Sequence, residues 1–146
     1  MKSRSNIIGK LFLGILIFTA ACGGGVDEAS VGMSQNYDEL VADLRANGGK
    51  VDANGTVSQP FFVPEGQVIQ IDGEDVQVFE FTNAADAQAA VETISPDGGS
   101  IGTTMASWMA TPHFFHAGKL IVLYVGDMPQ TTASLKEVLG EQIAGR

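Results

Sequence analysis

The chain has 146 residues, with 8 Lys/Arg against 17 Asp/Glu and a formal net charge of −9, a length that suits one domain rather than several. That balance excludes a phosphate-tracking surface, because affinity for nucleic acid rests largely on Lys and Arg neutralising phosphates. Cys22 is the only cysteine, which excludes an intramolecular disulfide.

The N-terminus carries the clearest pattern. Lys2, Arg4 and Lys10 make a positive start without an acid, residues 11–18 are almost wholly apolar, and Thr19-Ala20-Ala21 supplies small residues before Cys22. A positive start, a short apolar run and a small-residue exit are the parts of a secretory signal. A membrane-spanning helix needs about 20 apolar residues. Lys10 on one side and Gly23-Gly24-Gly25 with Asp27 and Glu28 on the other hold the run well below that. Thr19-Ala20-Ala21-Cys22 resembles the lipobox of bacterial lipoproteins. The resemblance implies cleavage before Cys22, a diacylglyceryl group on its thiol, fatty acylation, and anchoring on the extracytoplasmic side of a bacterial membrane in the cell envelope. Thr19 departs from the Leu that the family usually carries, so ordinary signal-peptide cleavage near Ala20 or Ala21 stays open. Two acyl chains suffice for stable anchoring, and acylation would remove a lone exposed thiol.

Residues 1–21 are therefore read as a lipoprotein signal peptide. Without them 5 Lys/Arg face 17 Asp/Glu, a net charge of −12. Attachment to the membrane must come from the lipid, because such a surface repels anionic head groups. Residues 22–35 are rich in Gly and Ser without an apolar period and read as a flexible tether. Residues 36–146 form a single globular domain.

In that domain Asn36 is placed to cap a helix, with Glu39 at the capping-box position. Tyr37, Leu40, Val41 and Leu44 then recur with helical spacing, and Asn47-Gly48-Gly49 ends the run. A short strand is expected near residues 55–58, after a turn at Asn54-Gly55. Residues 68–71 and 76–81 read as strands joined through Asp72-Gly73-Glu74-Asp75. A second helix starts near Asn83, carries Ala87, Ala90, Val91 and Ile94 on one face, and ends before Pro96. Residues 101–109 and 120–125 read as a second strand pair, separated by Thr111-Pro112 and by residues 116–119. A third helix follows Pro129, with Leu135, Val138, Leu139 and Ile143 inward, and closes at Gly145.

The order from residue 66 onward suggests two ββα units preceded by an extra helix. It predicts an α+β fold with a mainly antiparallel sheet and helices packed on one face. Leu40, Leu44, Val91, Ile94, Leu135, Val138 and Leu139 are expected to share one interior. Residues 76–81, 95–98, 110–114 and 120–127 also resemble a group of small bacterial lipoproteins, which implies a shared fold and export and carries no activity with it.

Candidate chemistry is sparse. His113 and His116 are the only histidines. Their odd spacing across a strand end and a turn points them apart, and they read as ordinary surface or turn residues. Asp52-Ala53-Asn54-Gly55 fails the calcium-loop pattern, whose glycine is sixth and whose glutamate is twelfth. Residues 72–75 hold three carboxylates at a hairpin tip. Ser107, His113 and Asp127 can be drawn as a triad, but no Gly-x-Ser-x-Gly frames a nucleophile. Residues 95–100 are Gly-rich but leave a helix instead of starting one, which is the wrong end for phosphate. No catalytic residue, metal ligand or cofactor is assigned.

Residues 120–125 are apolar on both sides, so both sheet faces should be dry. Helices account for one. Phe61-Phe62-Val63, between Pro60 and Pro64, is expected across the other; the alternative cover is a partner protein, a second copy of the chain or an apolar ligand. The function expected is a membrane-tethered, non-catalytic binding or interaction module. The alternative is a small extracytoplasmic hydrolase using His113 or His116. Cys22→Ser should abolish lipid labelling and leave an uncleaved or released precursor; a Ser variant that is still processed and still fractionates with membranes would contradict the lipobox reading.

Overall fold

A computed structural model describes residues 33–145. The signal segment, Cys22 and the tether up to residue 32 lie outside the described residues. In chain order the elements are α1 (Tyr37–Ala46), β1 (Val51–Val57), β2 (Gly66–Ile71), β3 (Glu74–Glu80), α2 (Ala84–Val91), β4 (Ser100–Ile101), β5 (Thr104–Met105), β6 (Pro112–Ala117), β7 (Leu120–Val125), α3 (Pro129–Leu139) and β8 (Ala144–Gly145). Six strands form one antiparallel sheet in the order β1-β2-β3-β7-β6-β8, and β4 pairs with β5 separately. The fold is α+β, as the sequence pattern predicts.

Local chemistry explains most boundaries. Asn36 Oδ1 accepts the Glu39 N–H at 3.0 Å, while the Glu39 carboxylate accepts the Gln35 N–H at 2.7 Å, so α1 starts on a reciprocal cap. At its other end Gly48 and Gly49 donate to Arg45 O and Leu44 O, satisfying carbonyls that the helix leaves open. Asp72 and Gly73 have φ of +53° and +94°, the two left-handed residues of a tight hairpin turn. The turn is thus two residues long, and Glu74 and Asp75 already belong to β3.

Several expected boundaries move. β7 pairs with β6, not with residues 101–109, in a register that sets His113 opposite Tyr124 and Ala117 opposite Leu120. Pro112 opens β6 because a strand's first residue can do without an N–H, where the sequence reading took it for a separator. Gly102, at φ +57°, turns the chain inside the expected long strand and leaves only the two-residue β4 and β5. β1 runs from Val51, and Asn54-Gly55 forms a bulge between the Ala53–Ile69 and Thr56–Gln67 pairs instead of a turn. An irregular edge of this kind resists pairing with another chain. Gly140, at φ +85°, ends α3 early. Ile143 consequently lies beyond the helix and is exposed, and Ala144 joins the sheet.

The three helices do not share one face. Leu40 and Leu44 of α1 and Leu135, Val138 and Leu139 of α3 pack with Val76, Val78, Val122 and Tyr124. Ala87 of α2, with Val91 and Ile94 beside it, packs on the other face with Phe79, Phe114, Ile121 and Leu123. The β2-β3-α2 and β6-β7-α3 units meet at β3 and β7, which pair antiparallel with Val78 opposite Val122. A two-fold axis through that pair would keep both helices on one face, so their opposite placement breaks the apparent repeat. The reason lies in β7, whose two apolar faces each need a cover.

The chain covers the second face itself, as the Phe61-Phe62 reading anticipates. The Phe62 ring lies 4.8 Å from Phe79 and 6.1 Å from Phe81, centroid to centroid. Gly66 permits this crowding: a Cβ there would meet the Phe79 ring at 2.5 Å. Val63 does not join in; it is 98% exposed. Leu139 is 1% exposed in the first layer, so Leu139→Ala should lower stability by about 2–5 kcal/mol, read from the midpoint of urea unfolding. Phe62→Ala should cost about 3–5 kcal/mol by the same mechanism in the second layer. An unchanged midpoint in either variant would show that its layer is not docked.

Candidate functional site

The two histidines sit on the same strand, three residues apart, and point to opposite faces. His113 is buried, against the expectation of an ordinary surface residue. Its Nδ1 lies 2.8 Å from Gln142 Oε1 and its Nε2 lies 3.0 Å from Gly126 O. Its ring stacks on Tyr124 at 5.7 Å. This histidine ties β6 to the end of β7 and to the segment before β8. His116 is half-buried, with Nε2 3.2 Å from Gly118 O in the β6–β7 turn.

Ser107, His113 and Asp127 are not assembled as a relay. Both His113 nitrogens are engaged by Gln142 and Gly126, Asp127 accepts a hydrogen bond from Thr111 Oγ1, and Ser107 lies exposed before β6. A base must reach the hydroxyl it activates, and among the described residues no hydrogen bond joins either histidine to a serine. The hydrolase alternative gains no geometric support.

The carboxylates at the β2–β3 hairpin are divided among separate tasks. Asp72 Oδ1 accepts the Lys50 N–H at 3.1 Å, Asp75 Oδ1 accepts from Asn54 and Gln70 side-chain amides at 2.9 and 3.0 Å, and Glu74 Oε2 accepts the Tyr124 hydroxyl at 2.9 Å. They brace the hairpin and do not converge on one point. The Gly-rich segment before β4 is likewise closed on itself: Asp97 accepts from Ser95 Oγ at 2.7 Å and from the Gly99 N–H at 3.0 Å, and Trp108 Nε1 donates to Gly98 O at 2.7 Å.

Tyr124 joins the sheet to the start of α3. Its hydroxyl donates to Glu74 and accepts the Met128 N–H at 3.1 Å. Met128 is the N-cap residue of α3, and its own N–H, one of the donors a helix start leaves open, is satisfied by the tyrosine oxygen from the sheet. Burial pushes the phenol above its ordinary value of 10.0, the Met128 hydrogen bond opposes that shift, and the Glu74 hydrogen bond and charge reinforce it.

The feature that invites a ligand lies on the second face. Phe61, Val63 and Pro64 form one wall of a groove of about 510 Å³, and Ala89 and Ala90 of α2 form the other. Phe81, Thr82, Thr93 and the acidic residues Glu80 and Asp86 complete its lining. A volume of this size falls within the range of small-molecule sites, which are mostly apolar with a few placed polar groups. Sequence reasoning did not single out this groove. Its signals were the alanine-rich run in residues 84–90 and the alternation that buries Phe62 while leaving Val63 outside. No family model, curated protein or solved structure matches the chain.

Because the folded state holds the Tyr124 proton more tightly than the unfolded chain, the unfolded tyrosine ionises first as pH rises. Stability should therefore be unaffected by this group below pH 10.0 and should fall above it, until the folded phenol ionises as well. Unfolding curves measured across that alkaline range should show the decline, and Tyr124→Phe should flatten it. An identical alkaline decline in the Phe variant would assign it elsewhere.

Proposed function

We propose that this chain is an extracytoplasmic lipoprotein, anchored through Cys22, whose globular domain is a non-catalytic module that binds a ligand with an apolar body. The observation that carries the reading is the groove between the Phe61–Pro64 segment and α2. The rest of the second sheet face is covered by the chain's own Phe62, Ala87 and Ile101. What supports a binding role over catalysis is the commitment of both histidines and of the Asp72, Glu74 and Asp75 carboxylates to structural contacts.

Among the described residues no helix is long and apolar enough to cross a membrane, and in this reading the lipid on Cys22 provides the anchor. The described chain begins on the first face, where Ser34 N–H donates to Val138 O of α3 at 3.0 Å. Tyr37 N–H donates to Glu80 Oε2 at 3.3 Å and Lys119 N–H donates to Gln35 O at 3.1 Å. Ten residues lie between Cys22 and the first described residue, Met33.

An apolar fluorescent reporter dye tests the reading. The protein should bind it saturably. Ala89→Trp, at an exposed position on the groove wall, should abolish binding while shifting stability by no more than about 0.5 kcal/mol. No saturable binding, or binding untouched by Ala89→Trp, would remove the groove as the site.

A further inference from the structure

We infer that the ligand of this groove is a cationic amphiphile: a small molecule with one alkyl chain and a positively charged head. The inference rests on the groove being the binding site and adds the chemical class of what enters it.

The walls ask for an apolar tail. Val63 is 98% exposed although it sits between two prolines beside a dry core. Phe61 stands edge-on to Phe62 at 4.9 Å, which fixes it as a wall. Opposite, Ala89 and Ala90 present only methyl groups, so the space between the walls is left open.

The edge asks for a positive head. Two charged residues line the groove, Glu80 and Asp86, both acidic, and the Glu80 carboxylate shares the first face of β3 with Val76 and Val78. The Glu80 carboxylate is already engaged: Oε1 pairs with Lys119 Nζ at 2.8 Å, and Oε2 accepts the Tyr37 N–H. Asp86 differs. Its Oδ2 accepts from Asn83 Nδ2 at 2.8 Å in the cap of α2, and no cation among the described residues pairs with it. An anionic head would meet the Asp86 charge in a domain already rich in acid. A cationic head would complement it.

The size suits a small molecule: about 510 Å³ is an ordinary volume for such a site.

Decylamine, decan-1-ol and decanoate share one tail and differ in head charge. Titrated below their aggregation limits into the purified full chain, with binding read by calorimetry and by NMR shifts at Ala89 and Val63, they separate the two claims. The expected order is decylamine tightest, by about two- to five-fold over decan-1-ol, with decanoate weakest. Asp86→Asn should collapse that order while tail binding persists, and circular dichroism of the variant checks that α2 is intact. Equal binding of all three, or an order that survives Asp86→Asn, overturns the cationic head and leaves the groove standing. Failure of all three to bind overturns both the ligand class and the groove.

Discussion

The constraint on which the structure depends is the double-sided dryness of β7. Leu120, Val122 and Tyr124 point one way, Ile121 and Leu123 the other, and all five are fully buried. An antiparallel strand with one wet face alternates apolar with polar; this one leaves no face for water. β3 shares the demand, with Val76 and Val78 on one side and Phe79 on the other. Two adjacent strands of this kind require a layer on each side of the sheet. The chain divides its helices accordingly, with α1 and α3 on one face and α2, Phe62 and Ile101 on the other.

That division decides where chemistry has room. The polar groups near the centre are used to lock layers together. Tyr124 reaches from the first core to the start of α3, and His113 clamps β6 to the last turn of the chain. Among the described residues no buried side-chain nitrogen or oxygen lacks a hydrogen-bond partner, as expected of a frame whose polar groups are structural. The second layer is thinner than the first. An eight-residue helix rich in alanine and a proline-bounded aromatic segment cover it, and the groove lies where these two covers do not quite meet. The proposed binding role is thus a consequence of how the second face is closed.

Much of this architecture was legible in the residues. The α1 period and caps, the Asp72-Gly73 hairpin and the two-sided strand announced themselves because each is a local pattern. So did the cover by Phe62, since an aromatic pair between prolines next to a dry face has few other uses. The misread pieces depended on tertiary context. A proline beside an apolar run argues against a central strand, so residues 112–117 read as a connection, and His113 with them as a surface histidine. Residues 101–109 have strand composition, but Gly102 turns the chain after two residues. Ile143 keeps the helical spacing of α3, yet Gly140 had already ended the helix. The sharing of helices between faces was not readable from amphipathicity, because each helix has one apolar stripe whichever side it meets. The groove was hidden for the same reason: it arises between two segments, and neither carries it alone.

Amide hydrogen exchange resolved by residue tests the central claim most directly. If both faces of β7 are sealed by the chain's own layers, its amides and those of β3 should open only with global unfolding. They should be the slowest in the molecule, with the edge strand β1 exchanging much faster. β7 amides exchanging as quickly as those of β1 would mean that one cover is absent in solution, and the two-layer account would fail.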